Sequence, residues 1–160
     1  MNYVDGFHAT NSLSISTLPF AAEAAWSAGK WTQLERILGA SSDKIIGTTT
    51  DFNICVGKAL LALYNEDESD FKSLIDTIRG NLSKRLSPSN TNTLQACHDT
   101  LVKLHALYEI EAISGVVTPH PPEREKVLEN LDLRLDIIGA YTSDKQYILG
   151  VRRATMLVSK

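Results

Sequence analysis

The sequence lacks most of the features that mark a secreted, membrane or nucleic-acid-binding protein. It has only two cysteines, Cys55 and Cys97, and both fall on apolar faces of predicted helices, which is typical of buried thiols in a reducing compartment. No apolar run reaches the roughly 18 residues that a membrane-spanning helix needs, and residues 1–16 do not have the basic and apolar segments of a secretory signal. The net charge of −3 argues against a dedicated nucleic-acid surface. We therefore expect an intracellular protein that contacts neither a membrane nor nucleic acid directly.

Sequence motifs of the common enzyme classes are also missing. The sequence contains no phosphate-binding P-loop, no dinucleotide-binding glycine fingerprint and no G-x-S-x-G elbow. It also has none of the glycine-rich loop, HRD segment or DFG segment of a protein kinase. The sequence therefore predicts no catalytic, cofactor-binding or metal-ligating residue in this chain.

Helical periodicity is the strongest positive signal. Within Leu18–Leu38, small residues and Trp26 form one short helix, Gly29 and Lys30 interrupt it, and Trp31 begins a second helix. Small residues let two helices approach closely, and helical-repeat proteins build their cores from such pairs. We therefore interpret Trp26 and Trp31 as core residues rather than as a platform for a ligand.

The apolar spacing predicts seven helices and no confident strand. The helices are expected at about Leu18–Ala28, Trp31–Leu38, Asp51–Tyr64, from the acidic turn Asn65–Asp70 to about Arg85, Thr91–Ser114, Glu123–Gly139, and from Ser143 toward the chain end. Loops are expected at residues 1–16, 39–50, 87–90 and 115–122. Ser143 and Gln146 predict a capping box at the start of the last helix.

The longest predicted helix carries apolar residues on more than one face. One seam contains Leu94, Cys97, Leu101, Leu104 and Tyr108, and further apolar residues lie outside it, so we expect this helix to contact neighbours on more than one side. This pattern, together with an apolar helix at the chain end, favours an α-solenoid of tetratricopeptide-like antiparallel helix pairs cut from a longer array. A compact helical bundle is the alternative all-α fold.

Two pairs of residues suggest catalytic or metal chemistry only superficially. His98 and His105 lie on nearly the same side of a helix, with Glu109 one turn further on. A zinc-binding helix usually pairs its ligands at i and i+4 and needs more of them, so we predict surface or boundary histidines. Cys97 and His98 are adjacent and point about 100° apart, so they cannot act together as nucleophile and base.

The charged clusters are interpreted as solvated helix ends. The acidic run Glu66–Asp70 lacks the spacing and central glycine of a calcium loop and predicts a helix start. Arg152 and Arg153 could contact a phosphate or an acidic partner, but a surface pair near a helix C-terminus is the simpler interpretation.

Three stretches in order resemble the FAT region of the phosphatidylinositol-3-kinase-related protein kinases. The first, AAEAAWSAGKWTQLERIL, is similar to a helical pair of that family, and the second, LVKLHALYEIE, is similar to a segment with a Leu-x-Glu-Leu-Glu pattern. The third stretch, Leu133–Leu157, matches at Arg134-Leu135, Ile148-Leu149 and Arg152-Arg153-Ala154 and departs from the family pattern at Asp136 and Gln146-Tyr147. Among these kinases the resemblance is greatest to the ATR-type checkpoint kinases of fungi.

The resemblance implies a partial FAT-type helical-repeat domain at residues 17–160, preceded by a flexible or loop segment. Such a scaffold would clamp and regulate a serine/threonine kinase domain outside this chain, where ATP and Mg²⁺ would be used. The parent would be a nuclear protein that signals DNA damage and stalled replication. Its partners would be that kinase domain, the rest of the solenoid and a recruiting subunit of the ATR-interacting type. Arg134, Arg152 and Arg153 match structural parts of the motif only, so the resemblance implies no active-site residue here.

Two other functions remain open on the residues alone. A free-standing tetratricopeptide-like adaptor would hold a peptide in a groove lined by convergent polar side chains. A small helical-bundle enzyme could use His105 and Glu109.

Overall fold

The protein is all-α, as the sequence predicts. The computed structural model describes residues 17–45, 51–86, 93–115, 121–138 and 141–159, and within them it contains seven helices and no strand. The helices are α1 (Leu18–Ser27), α2 (Trp31–Ile45), α3 (Phe52–Tyr64), α4 (Glu68–Arg85), α5 (Leu94–Ser114), α6 (Pro121–Ile137) and α7 (Thr142–Val158). None of these helices has the length and apolar character needed to cross a membrane.

The chain divides into two compact units, residues 1–74 and 75–160, with the division inside α4. In the first unit α1 packs against α2 and α3, and α2 also packs against α3. In the second unit α5 packs against α6 and α7. Packing of a helix on the next one and on the one after it is typical of helical-repeat arrays, and it is consistent with an α-solenoid.

The core of the first unit depends on small residues at the helix crossings. Trp26 on α1 is 1% exposed, and Ala22 and Ala25 beside it are fully buried. Gly57 on α3 lies under this ring: a Cβ at that position would be 3.2 Å from Leu34 Cδ1 and 3.5 Å from Trp26 Cδ1. The absence of a side chain at Gly57 therefore lets α3 approach both α1 and α2.

The helices α1 and α3 end in the same kind of turn. Gly29 has φ 66°, its N–H bonds to the Trp26 carbonyl, and the Lys30 N–H bonds to the Ala25 carbonyl, which together form a Schellman motif. Glu66 has φ 60° and repeats this pattern after α3. The two turns join α1 to α2 and α3 to α4 in equivalent ways, as expected of repeated helix pairs.

Two predicted loops are shorter than the sequence suggested. The loop predicted at 39–50 is wrong for residues 39–45, because α2 continues to Ile45 and local propensity is a weak guide where a helix is already established. The loop predicted at 115–122 is wrong for Pro121 and Pro122, which occupy the first turn of α6. Proline is tolerated there because the N–H that it lacks would have no hydrogen-bond partner within the helix. The predictions for residues 1–16, 46–50, 87–90 and 116–120 lie outside the described residues.

Two predicted helix starts also differ. The capping box at Ser143 and Gln146 is wrong, because α7 begins at Thr142 and its N-cap, Tyr141, makes no side-chain capping bond. Helix α5 begins at Leu94 rather than at about Thr91, and Thr93 Oγ1 caps it by accepting a bond of 3.1 Å from the Ala96 N–H.

The predicted apolar seam of α5 is the main error in the core. Leu94 is 90% exposed, Leu101 and Tyr108 are also exposed, and Cys97 is only half-buried. Helix α5 instead buries a face with Ala106, Leu107, Ile110 and Ile113. Since apolar residues lie on several sides of this helix, their spacing could not identify the side that faces α7.

The buried faces of α4 and α7 agree with the apolar spacing better than those of α5 and α6 do. Spacing predicts five apolar residues on the buried face of α4, and Phe71, Ile75, Ile78 and Leu82 are buried whereas Leu74 is half-buried. It also predicts five on α7, and Ile148, Val151, Ala154 and Val158 are buried whereas Tyr147 is half-buried. On α6 the spacing predicts a buried face, of which Leu131 is fully buried and the other members are half-buried: Val127, Leu128, Leu135 and Ile138.

Candidate functional site

A buried ion pair joins α5 to α7 at the centre of the second unit. Glu109 on α5 is fully buried, and Arg152 on α7 is 8% exposed. Arg152 Nε donates to Glu109 Oε2 at 2.7 Å, and its Nη2 donates to Glu109 Oε1 at 2.9 Å. The two parallel bonds are the bidentate arrangement in which a guanidinium fits a carboxylate best.

A second carboxylate extends the pair to α6. Arg152 Nη1 donates a hydrogen bond to Asp132 Oδ1, and the Asp132 side chain is 71% exposed on its other side. Each of the three guanidinium nitrogens of Arg152 therefore donates a hydrogen bond, and together these bonds connect α5, α6 and α7. We call Glu109, Asp132 and Arg152 the ion-pair cluster.

The cluster fixes the charge of both buried groups. Burial raises the pKa of Glu109, but the hydrogen bonds and positive charge of Arg152, together with the nearby His105 ring, outweigh it, so the pKa of this carboxyl is lowered from its usual value. The hydrogen bond to Glu109 raises the pKa of Arg152 against the opposing effect of burial. Glu109 is therefore an ionised carboxylate at neutral pH, not a general acid.

His105 lies beside the cluster, one turn before Glu109 on α5. Its Nε2 is 3.6 Å from Glu109 Oε1, and its side chain is 15% exposed. This nitrogen is buried and has no hydrogen-bond partner among the described residues. The prediction that His105 is a boundary residue is confirmed.

Glu111, two residues after Glu109, connects α5 to α4. Arg79 on α4 donates a hydrogen bond to Glu111 Oε2, and a second one of 3.0 Å to Asp76. Side chains two positions apart on a helix point about 200° apart, so Glu109 and Glu111 reach neighbours on opposite sides. The prediction that this helix contacts neighbours on more than one side is thereby confirmed.

The surface interpretation of Arg152 is wrong. Arg152 lies about one helical turn after Ile148 and one turn before Thr155, and both of these residues are buried. Its spacing from Ile148 placed it on the apolar face of α7 and could have signalled a buried arginine with an acidic partner. Arg153, the next residue, is exposed, in agreement with the sequence prediction.

The remaining candidate residues lie apart from the cluster. His98 Nε2 is 2.8 Å from Asp144 Oδ2 and its ring is 5.2 Å from that of Tyr141. Arg134 lies over the ring of Tyr108 at 4.1 Å. Cys55 and Cys97 form no disulfide and are half-buried rather than buried.

Two further predictions concern helix ends in the first unit. Asp67 caps α4 by accepting a bond of 2.9 Å from the Asp70 N–H, which confirms that the acidic run is a helix start. Trp31 is half-buried and stacks on Tyr64 at 5.5 Å between ring centroids, so only Trp26 is a true core residue.

The buried charged side chains of the second unit, Glu109 and Arg152, connect helices. Among the residues that the structure describes, no three histidine, cysteine, aspartate or glutamate side chains converge to hold a metal ion. The buried carboxylate of Glu109 is paired by Arg152. The ion-pair cluster joins α5, α6 and α7 through the hydrogen bonds of Arg152.

This geometry defines a helical-repeat scaffold protein: paired helices, equivalent turns, and polar residues used to connect helices. The sequence matches the FAT domain over residues 18–160, and the chain therefore belongs to the FAT domain family. FAT domains are found in phosphatidylinositol-3-kinase-related kinases, where they lie alongside kinase domains. No curated protein and no solved structure matched the chain.

Proposed function

We propose that the chain is the scaffold segment of an ATR-like serine/threonine protein kinase of a fungus that signals DNA damage and stalled replication. It clamps and regulates a kinase domain that lies outside this chain, and it acts through helix packing rather than through chemistry of its own. The parent works in the nucleus and uses ATP and Mg²⁺ in its kinase domain. A recruiting subunit of the ATR-interacting type brings it to damaged DNA.

The observation that carries the proposal is the meeting of two stretches that resemble this kinase family. Glu109 belongs to the second stretch, LVKLHALYEIE, and Arg152 belongs to the third, and the two residues form the buried bidentate pair. The other glutamate of the Leu-x-Glu-Leu-Glu pattern, Glu111, pairs with Arg79 on α4. The resemblance thus falls on residues that connect helices, as a regulatory scaffold requires.

The kinase part of the proposal is tested with the protein purified from its own cells under an affinity tag. We expect it to phosphorylate a serine/threonine peptide in the presence of ATP and Mg²⁺, and to lose this activity when Mg²⁺ is chelated. A purified protein without any kinase activity, from a gene that ends without a kinase domain, would contradict the proposal.

The checkpoint part needs a separate experiment. Cells lacking the gene are expected to divide despite replication stalled by hydroxyurea, and the tagged protein is expected in the nucleus. A protein that stays outside the nucleus, with an intact arrest in the deletion strain, would remove the checkpoint role and leave the kinase scaffold untouched.

The second candidate is a free-standing adaptor that binds a peptide. A groove in the first unit favours it, because polar side chains from α2, α3 and the start of α4 converge there. Deletion of the gene would then abolish binding of a partner without affecting any kinase activity.

A further inference from the structure

The first unit contains an open groove between α2, α3 and the start of α4. Its volume is about 490 Å³, and all of its lining residues lie within the first unit. Its apolar lining includes the side chains of Leu38, Leu61 and Leu74. Its charged lining includes Glu35, Asp67 and Asp70, all exposed, and Lys58 is the only cationic side chain among the lining residues that the structure describes. We call this feature the acidic groove.

The charge of the groove comes from its side chains rather than from the helix ends. The C-terminus of α3 and the N-terminus of α4 meet at the same turn, so their opposite partial charges largely cancel. Three carboxylates against one ammonium leave a negative rim above an apolar floor. Glu35 and Asp70 are exposed at this rim.

A metal ion does not fit this arrangement. Among the described residues, the carboxylates of the groove do not converge closely enough to hold one. The apolar floor would also make no favourable contact with a hydrated cation, whereas leucine or methionine side chains could pack against it.

We propose that the acidic groove is a docking site for a basic amphipathic helix of a partner protein. The stretch from Asp67 to Leu74 spans about 10 Å along α4, enough for two turns of a bound helix. Apolar side chains at i, i+3 and i+4 would contact Leu38, Leu61 and Leu74, as in other complexes where a helix binds in a groove. Lysine or arginine side chains flanking that stripe would reach Glu35 and Asp70. This inference does not depend on the kinase scaffold function, since an adaptor could use the same site.

The test uses two synthetic helical peptides without tryptophan. Both carry leucines on one face, and the other positions are lysine in one peptide and glutamate in the second. Binding to the chain is measured by calorimetry and by its intrinsic tryptophan fluorescence, at concentrations where sedimentation shows a monomer. We expect the lysine peptide to bind with an affinity that falls as salt is raised, because rim charges are screened, and the glutamate peptide to show no binding.

Charge reversal locates the site. The double variant Glu35→Lys and Asp70→Lys should weaken binding of the lysine peptide about tenfold or more. The matched control, Glu125→Lys and Glu129→Lys, changes net charge equally at exposed positions on α6, outside the groove, and should bind like wild type. Helicity and melting temperature, measured by circular dichroism, check that both variants are folded.

Three results would overturn the proposal. The lysine peptide could fail to bind, the two peptides could bind equally well, or the groove variant could bind like the control. A wild-type dimer that the groove variant converts to a monomer would show instead that a second copy of the chain fills the groove. That result would also overturn the proposed partner.

Discussion

Arg152 and Arg153 are neighbours in sequence with opposite surroundings. Arg152 is buried and uses its guanidinium to contact Glu109 and Asp132, whereas Arg153 faces solvent. A buried ion pair adds little net stability compared with a well-packed apolar pair, because both charges lose their hydration. Its removal from one side only is costly, because the remaining charge stays buried without a partner. The pair therefore specifies how α5 and α7 fit together.

Replacement of Arg152 by methionine should destabilise the chain strongly. Because Glu109 would be left buried and unpaired, we expect a loss of about 3–5 kcal/mol in the free energy of unfolding. The matched change Arg153→Met should stay within about 0.5 kcal/mol of wild type. Urea unfolding followed by circular dichroism measures both values. Equal stability of the two variants would show that the ion-pair cluster is not a structural unit.

Glu109 also makes a testable contribution to the pH dependence of stability. Its pKa in the folded state is lower than the value of about 4.5 expected when the chain is unfolded. Its contribution to stability is therefore complete above about pH 4.5 and is lost as the pH falls through its lowered folded-state pKa. The gap in unfolding free energy between wild type and Glu109→Gln should narrow below that pH, by at most about 1.4 kcal/mol per pH unit. A gap that stays constant down to acid unfolding would contradict the pKa shift.

At the scale of the elements, α1 and α3 end in the same type of turn. The residue in the left-handed conformation is Gly29 in the turn after α1 and Glu66 in the turn after α3. Gly29 adopts φ 66° without steric cost, whereas Glu66 has a Cβ at nearly the same φ of 60°. A left-handed conformation costs a residue with a side chain roughly 1–2 kcal/mol. The turn after α3 is therefore formed against a local penalty.

Substitutions at Glu66 and at Gly29 should change the free energy of unfolding in opposite directions. We expect Glu66→Gly to raise the free energy of unfolding by about 1 kcal/mol, and Gly29→Ala to lower it by a similar amount. Thermal unfolding of the two variants beside wild type is the measurement. A drop in stability for Glu66→Gly would mean that its side chain, not its backbone, matters at this turn.

The crossing of α3 with α1 and α2 gives a second prediction at this scale. Gly57→Leu should cost about 1–3 kcal/mol or more, because the new side chain would overlap Leu34 and Trp26. Gly80→Leu on α4 is the control, since nothing lies within 4 Å of its added Cβ, and it should gain up to about 1 kcal/mol of helix propensity. Chemical unfolding separates the two outcomes, and a neutral Gly57→Leu would show that the helices can move apart at this point.

The elements differ in how far the sequence could predict them. Helices α4 and α7 each have one apolar stripe, so their buried faces could be predicted from spacing alone. Helix α5 has apolar residues around much of its circumference, so its buried face depends on its neighbours. The start of α6 at Pro121 was missed because a proline pair predicts a loop unless the helix after it is known.

At the scale of the whole molecule, the ion-pair cluster is the feature that the sequence could suggest least. Glu109 and Arg152 lie on helices that are distant in sequence, and neither residue shows which partner it has. The resemblance pointed to both stretches without showing that they meet. Their contact gives the FAT domain segment a structural connection, since Arg152 joins α7 to both α5 and α6.

The proposed regulation of a kinase domain by this segment is tested most directly on the protein purified from its own cells. The measurement is the rate of peptide phosphorylation by purified wild type, Arg152→Met, Arg153→Met and the double variant Glu109→Leu with Arg152→Met. If the segment regulates a kinase domain through its packing, Arg152→Met changes the rate, Arg153→Met does not, and the apolar pair of the double variant restores it. An unchanged rate in Arg152→Met, in a protein whose isolated segment is destabilised by the same substitution, would contradict the account.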